Sequence, residues 1–164
     1  MVQKEHHIII SLASNFNQEA NLEAARTQLT QLLTEAHFTS AIWTEPFGVI
    51  DHGPFLAEPS GKAERTIDHS LEATPFESKL SSLDQCSMVN GQCSMYLNQL
   101  CKGTTAFGFN LLNEVLKETE KRQGRTHNED GIVTLDLDIL QYDDEKFHLR
   151  DWTRNYVKNL INEL

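Results

Sequence analysis

The chain has 164 residues, of which 39% are hydrophobic, and its formal net charge is −10. This length fits one domain that buries about two-thirds of its unfolded surface, and the composition excludes disordered and fibrous classes. The charge argues against nucleic-acid partners, because non-specific binding depends on Lys and Arg neutralising phosphates. The sequence contains neither an apolar run of about 20 residues nor a signal-peptide pattern, so we expect a cytoplasmic protein without membrane contact.

Three cysteines, Cys86, Cys93 and Cys101, form no C-x-x-C pair and leave an odd count. This pattern favours reduced thiols over a disulfide framework. A zinc site built from these cysteines and a histidine is the alternative, although ordinary buried or exposed thiols are the more common outcome.

Apolar periodicity predicts the first three elements. The β-branched run at residues 7–12 predicts a buried strand that ends in a turn at 13–15. Leucines at helical spacing predict a helix over about 20–36, with Asn17 or Asn21 as its N-cap. Residues 38–44 predict a second strand, which ends at Glu45-Pro46 because proline cannot continue a central ladder.

The second half of the chain completes the pattern after an interruption. Residues 49–95 hold three of the four prolines and show no sustained period, which predicts an insertion or flexible loop within a single domain spanning 1–164. We then expect a strand over 95–105, a helix that ends near Gly124, a strand at 133–140 and a closing helix over 151–164. The order βαββαβ predicts an α+β, ferredoxin-like sandwich: an antiparallel sheet with helices on one face plus a C-terminal helix.

The strand at 133–140 carries the strongest chemical signal. Its alternation puts four apolar residues on one face and Thr134, Asp136 and Asp138 on the other. Same-face residues two apart lie roughly 6.5–7 Å apart, a gap that one or two divalent cations can bridge. Magnesium, which binds one or two protein carboxylates and leaves its other positions to water and phosphates, is the natural candidate. The alternative is an amphipathic strand that shows its polar face to water, although aspartate is depleted in strands.

Several segments resemble one family, hydroxymethyl-dihydropterin pyrophosphokinase, which transfers pyrophosphate from ATP to a pterin alcohol in folate biosynthesis. The strand at 134–140 resembles the family signature, and 9–15 resembles its first strand and Gly-Ser-Asn turn, with Ala13 in place of glycine. The Thr44-Glu45-Pro46-Phe47-Gly48 run resembles the family's pterin loop, and Tyr96-Leu97-Asn98 its aromatic-Leu-Asn strand start. The helix end from Glu120 to Arg125 and the spacing of His148 and Arg154 are also similar.

The resemblance implies a role for each matching residue. Asp136 and Asp138 would coordinate Mg²⁺ between the ATP phosphates and the pterin hydroxymethyl oxygen. The resemblance implies that the transferred phosphates are stabilised by Arg125, His148 and Arg154. It implies that the pterin is bound by Thr44, Phe47, Asn98 and Tyr156. It also implies that the nucleotide is bound by Glu120 and Ile139 together with Arg125, His148 and Arg154. ATP and a pterin alcohol are the implied small-molecule partners, and we expect a monomer or weak dimer.

Each of these side chains also has a simpler role. Arg125 could complement the dipole at a helix C-terminus. His148 and Arg154 could form a solvated surface pair, Tyr156 could pack in the core, and Glu120 could be an ordinary exposed helix residue.

The loop before the aspartate strand departs from the family pattern. Members carry Arg-Trp-Gly-Pro-Arg-Thr there, whereas this chain has Glu129 to Thr134, with Asp130 replacing the tryptophan and Val133 an arginine. Loss of one charge-assisted phosphate contact costs about 2–4 kcal/mol of transition-state stabilisation, which predicts slower transfer. A second interpretation therefore stays open: a non-catalytic relative that binds a nucleotide, a pterin or a protein partner through the insert.

Overall fold

A computed structural model of the chain describes residues 4–46, 88–89, 92–93, 95–126 and 131–164. Its strands are β1 (His6–Ser14), β2 (Thr34–Phe38), β3 (Ile42–Thr44), β4 (Met88–Val89), β5 (Gln92–Cys93), β6 (Tyr96–Thr105), β7 (Asp136–Tyr142) and β8 (Glu145–Lys146). Its helices are α1 (Gln18–Leu32), α2 (Phe109–Arg122) and α3 (Asn155–Leu160). The predicted insert at 49–95 lies almost entirely outside the described residues.

The main sheet is antiparallel, with strand order β2-β6-β1-β7-β8, and β3 also pairs with β6. Strand β1 lies at its centre, between β6 and β7. The short strands β4 and β5 form a separate two-stranded ladder. This arrangement confirms the predicted ferredoxin-like α+β fold.

The first helix begins and ends earlier than its leucine spacing predicts. It runs from Gln18 to Leu32, and Leu33 is already extended, with φ −117° and ψ 142°. The following residues form β2, which pairs with β6, so tertiary strand pairing overrides the helical period that continues to Ala36. Asn17 occupies the N-cap position without a side-chain cap, whereas the Asn21 amide donates to the Phe16 carbonyl.

The predicted second strand is two strands, with a break at residues 39–41. Thr39 holds the break against β6: its N–H donates to the Leu100 carbonyl, and its Oγ1 accepts from the Leu100 N–H, each at 3.0 Å. The Gln99 side chain donates to the Thr39 carbonyl at 2.6 Å. Side chains therefore satisfy backbone groups that a regular ladder would have paired.

Alternate residues of the sheet face two separate apolar clusters. The helix-side core joins α1 and α2 to one face and includes Ile8, Ile10, Leu12, Leu22, Leu29, Leu112, Leu116, Leu137 and Ile139. The C-terminal-side core covers the other face and includes Leu100, Leu140, Val157 and Leu160. The predicted closing helix is shorter than expected, because 3₁₀ turns at Asp151–Thr153 and Ile161–Glu163 flank α3. No helix in the described part of the chain is long and apolar enough to span a bilayer.

Trp152 anchors the C-terminal segment to β7. Its indole Nε1 donates to the carbonyls of Leu140, at 3.2 Å, and Phe147, at 3.0 Å. Because both carbonyls lose this donor, we expect Trp152→Phe to lower the free energy of unfolding by about 1–2 kcal/mol. Urea denaturation followed by circular dichroism measures this change. The matched control is Trp43→Phe, because Trp43 is 48% exposed, and unchanged midpoints for both variants would contradict the anchoring role.

Candidate active site

Strand pairing places the aspartates beside polar residues of the neighbouring strands. Ala13 pairs with Asn98 on one side and with Asp136 on the other, and Ser11 likewise pairs with Asp138. Directly paired residues of an antiparallel sheet share a face. One row across three strands therefore holds Asn98, Ala13 and Asp136, and the next row holds Ser11 and Asp138. This polar surface lies on the same face as the C-terminal-side core, since Leu100 also pairs with Ser11.

Thr44 joins the first row through Asn98. The Asn98 Nδ2 donates to Thr44 Oγ1 at 2.8 Å, and Ile42 of the same strand pairs with Asn98. Asn98 is buried, so this hydrogen bond satisfies a polar group that would otherwise be costly inside a sheet. The small side chain of Ala13 separates the Asn98 amide from the Asp136 carboxylate. The predicted pterin-binding residues Thr44 and Asn98 are thus in contact, whereas Phe47 lies outside the described residues.

The faces predicted for the aspartate strand are confirmed by burial. The four apolar residues at alternate positions are buried: Val133, Leu135, Leu137 and Ile139. The side chains of Asp136 and Asp138 are 33% and 22% exposed. The regular strand begins at Asp136 rather than at Val133, because Val133 and Thr134 hydrogen-bond to Asn15 and Ser14.

Two side chains of α2 bind the backbone of β7 on the edge that β1 does not pair. Glu120 Oε1 accepts from the Leu137 N–H at 2.7 Å and from Lys117 Nζ at 2.8 Å. Lys117 Nζ in turn donates to the Leu137 carbonyl at 3.0 Å. Glu120 is only 5% exposed, so it is a buried, paired carboxylate. The helix therefore covers the part of this edge that β8 does not pair, where backbone groups would otherwise be unpaired.

The same region brings cations onto both aspartates. Arg125 Nη1 lies 2.9 Å from Asp136 Oδ1 and also donates to the Leu135 carbonyl at 2.7 Å. Lys117 Nζ lies 3.1 Å from Asp138 Oδ1 and 3.9 Å from Asp136 Oδ1. The sequence predicts Arg125 at this site, whereas it does not single out Lys117. The position of Lys117 three residues before Glu120 is the pattern that indicates it, because residues three apart share a helix face.

The segment after β8 contributes a third set of charges. His148 Nε2 lies 3.9 Å from Asp138 Oδ1. Asp151, which the sequence reasoning missed, has a carboxylate oxygen within 4.8 Å of both of these groups. Arg154 Nε lies 2.9 Å from Asp151 Oδ1, so Asp151 holds the arginine at this end of the sheet.

His148 adopts a backbone conformation that is uncommon for a side-chain-bearing residue. Its φ of 50° lies in the left-handed region, which costs roughly 1–2 kcal/mol in residues other than glycine. The hydrogen bond from the Asp151 N–H to the His148 carbonyl, at 2.7 Å, helps to hold the turn. Strained residues of this kind concentrate at functional sites.

Burial raises the pKa of two tyrosines near the aspartates. Burial raises the pKa of Tyr96, and Asp136 adds to the rise while Arg125 and Arg154 oppose it. Burial also raises the pKa of Tyr156, and the charge of Arg154 and its hydrogen bond oppose the rise. Tyr156 packs at the edge of the C-terminal-side core, and both hydroxyls lie in the field of the same arginine.

The charges on α2 also affect one another. Burial lowers the pKa of Lys117, but the hydrogen bond to Glu120 and the nearby carboxylates leave that pKa above its ordinary value. Lys117 is therefore a cation at neutral pH. Burial raises the pKa of Glu120, and Lys117 and the Leu137 N–H oppose that rise.

Among the predicted nucleotide-binding residues, Ile139 differs from the rest in orientation. Its side chain is buried in the helix-side core, on the opposite face of the strand from Asp138. Glu120, Arg125, His148 and Arg154 surround the aspartate strand at its edge or on its polar face.

The fold and these contacts define a ferredoxin-like α+β domain whose sheet carries a dense cluster of carboxylates and cations at one end. The chain belongs to the 7,8-dihydro-6-hydroxymethylpterin-pyrophosphokinase (HPPK) family, which matches residues 56–164. Enzymes of this family are ATP-dependent diphosphotransferases that use Mg-ATP. The match includes β6, α2, β7 and the C-terminal segment, and begins after β1, β2 and β3. No curated protein matches the chain significantly.

Proposed function

We propose that this protein transfers pyrophosphate from Mg-ATP to 6-hydroxymethyl-dihydropterin. The observation that carries the proposal is the setting of Asp136 and Asp138: two carboxylates on one strand face, surrounded by Lys117, Arg125 and His148. This clustering is what a polyphosphate with bound metal requires, because positioning and charge stabilisation account for most of phosphoryl-transfer catalysis.

Asp136 and Asp138 are the residues that would hold magnesium, and their donor set fits it. Magnesium prefers carboxylate oxygens and usually takes only one or two from a protein. Protein cations contact Oδ1 of each carboxylate, and the remaining lone pairs of the two carboxylates would bind the metal. When bound, magnesium supplies charge stabilisation to the phosphate oxygens.

The remaining charged groups would bind and orient the nucleotide. Arg125 has a planar fork of donors and is held beside Asp136 by its contacts with that carboxylate and with the Leu135 carbonyl, so it would meet a phosphate that binds next to the aspartates. Arg154 is directed by Asp151, and His148 adds a donor next to Asp138. Together these groups would stabilise negative charge that develops on the transferred group and on the leaving AMP.

The pterin would bind on the other side of the aspartates, along the row that leads to β3. Asn98 has an amide that both donates and accepts, which suits the amide-like edge of a pterin. Its contact with Thr44 fixes the orientation of that amide. Tyr156 supplies an aromatic ring on the same face of the sheet, and that ring would stack on the pterin.

A second candidate function is nucleotide or pterin binding without transfer. The observation that favours it is that protein cations already neutralise both carboxylates at Oδ1. The acidic Asp130 and neutral Val133, at positions where the family has tryptophan and arginine, point in the same direction.

Calorimetry with a non-hydrolysable ATP analogue measures whether the protein binds nucleotide and pterin, as both candidate functions require. An assay for AMP formation from ATP then distinguishes the transferase from the non-catalytic binding protein. We expect the analogue to bind in the presence of magnesium and to lose most of its affinity in EDTA, and hydroxymethyl-dihydropterin to bind to the resulting complex. Equal affinity with and without magnesium would contradict the proposed function. Magnesium-dependent binding of both ligands, without AMP formation from ATP, would favour the second candidate.

A further inference from the structure

The Lys117 ammonium lies close to both aspartates, 3.1 Å from Asp138 Oδ1 and 3.9 Å from Asp136 Oδ1. We propose that this ammonium takes the place of one divalent cation, so that the Asp136–Asp138 pair holds one metal ion rather than two. The inference deepens the proposed function and rests on it for the identity of the metal–nucleotide ligand. Lys117 belongs to α2 and lies outside both the aspartate strand and the loop before that strand.

The distances place the ammonium in the gap between the carboxylates. Carboxylates two residues apart on one strand face leave a gap of roughly 6.5–7 Å, which has room for one or two cations. Lys117 Nζ lies 3.1 Å from Asp138 Oδ1 and 3.9 Å from Asp136 Oδ1. A metal ion that bridged the same two oxygens would meet the ammonium at close range, and the two positive charges would repel each other.

The ammonium is also fixed in this position by its own hydrogen bonds. An ammonium has three donors. Lys117 directs hydrogen bonds to Glu120 Oε1 at 2.8 Å, to the Leu137 carbonyl at 3.0 Å and to Asp138 Oδ1 at 3.1 Å. Two of these three partners are the buried Glu120 and the backbone of the aspartate strand itself. The cation is therefore part of the edge contact between α2 and β7, and a metal cannot displace it without breaking that contact.

Lys117 also brings a positive charge to the aspartates from an element outside their own strand. In the proposed arrangement, its ammonium and a single divalent ion would face the phosphates together.

Manganese binding, counted by the electron paramagnetic resonance signal of free Mn²⁺, tests the inference. The proteins are the wild type, Lys117→Gln and the control Lys121→Gln, which removes the same charge from an exposed position of the same helix. Each is titrated with Mn²⁺ alone and with Mn²⁺ plus a non-hydrolysable ATP analogue. For the wild type and the control we expect one bound ion. For Lys117→Gln we expect two bound ions in the presence of the analogue. Without the analogue, we expect this variant to bind Mn²⁺ about tenfold more tightly than the wild type, because the Lys117 ammonium no longer repels the ion.

Two bound ions in the wild type, or the same count and affinity in Lys117→Gln, would overturn the inference. Thermal denaturation checks that the variant is folded. If Lys117→Gln does not fold, the double variant Lys117→Gln/Glu120→Gln removes both charges of the pair and is titrated in the same way. The proposed function fails separately if the wild type does not bind the analogue with metal. In that case a gain of Mn²⁺ affinity in Lys117→Gln without nucleotide would still support the role of Lys117.

Discussion

Replacement of Asp138 by asparagine is expected to slow magnesium-dependent AMP formation by roughly a hundredfold to a thousandfold, the effect of losing one strong electrostatic contact in a transition state. Asp138 is the carboxylate that both Lys117 and His148 approach, so under the proposed function it would connect a bound magnesium ion to both flanking elements. Asparagine keeps the size of the side chain and an acceptor for Lys117, but it lacks the charge that holds a divalent ion.

The measurement is initial-rate AMP production from ATP and hydroxymethyl-dihydropterin, with circular dichroism to confirm folding. Asp144→Asn is the matched control, because Asp144 is exposed in the turn after β7. We expect the control to keep the wild-type rate. A folded Asp138→Asn variant with an undiminished rate would show that this carboxylate does not take part in the reaction.

Leu137→Ala is expected to have the largest effect on stability, lowering the free energy of unfolding by about 2–5 kcal/mol. The Leu137 side chain is fully buried in the helix-side core, and shortening it leaves a cavity under the strand that carries both aspartates. Its backbone still binds Lys117 and Glu120, so the edge contact itself is not removed.

Urea denaturation measures this change, and Leu149→Ala provides the comparison. Leu149 is 69% exposed, so the same substitution there should shift stability by no more than about 0.5 kcal/mol. Similar denaturation midpoints for Leu137→Ala and the wild type would contradict the assignment of this face to the core.

The features that local sequence patterns specify could be predicted. The faces of the aspartate strand follow from a period of two, and burial of Leu135 and Leu137 confirms them. The stop of α2 near Gly124 also follows from local chemistry, because that glycine has a φ of +84° just after the helix. The order of helices and strands gave the fold class for the same reason.

The helix boundary and the site residues that could not be predicted depend on contacts between residues that are far apart in the sequence. The end of α1 at Leu32 is decided by pairing of β2 with β6, about seventy positions later in the chain, and helical spacing carries no trace of it. Lys117 and Asp151 likewise gain their roles from neighbours on other elements. Glu120 could be read as an exposed helix residue because one of its two partners, the Leu137 N–H, is a backbone group that no side-chain pattern reveals.

The site therefore combines two tasks in the same side chains. Lys117, Glu120 and Arg125 satisfy backbone groups on the edge of the aspartate strand opposite β1, and two of them also place positive charge on its carboxylates. Cover of the strand edge and the charge distribution around the two aspartates are consequently linked.

The most direct test of the proposed function is a coupled assay for AMP with the wild-type protein, ATP and 6-hydroxymethyl-dihydropterin. We predict AMP and a pterin pyrophosphate in equal amounts, dependent on magnesium and abolished by EDTA. ATP that remains intact after prolonged incubation with saturating magnesium and pterin would contradict the assignment of this protein as a pyrophosphokinase.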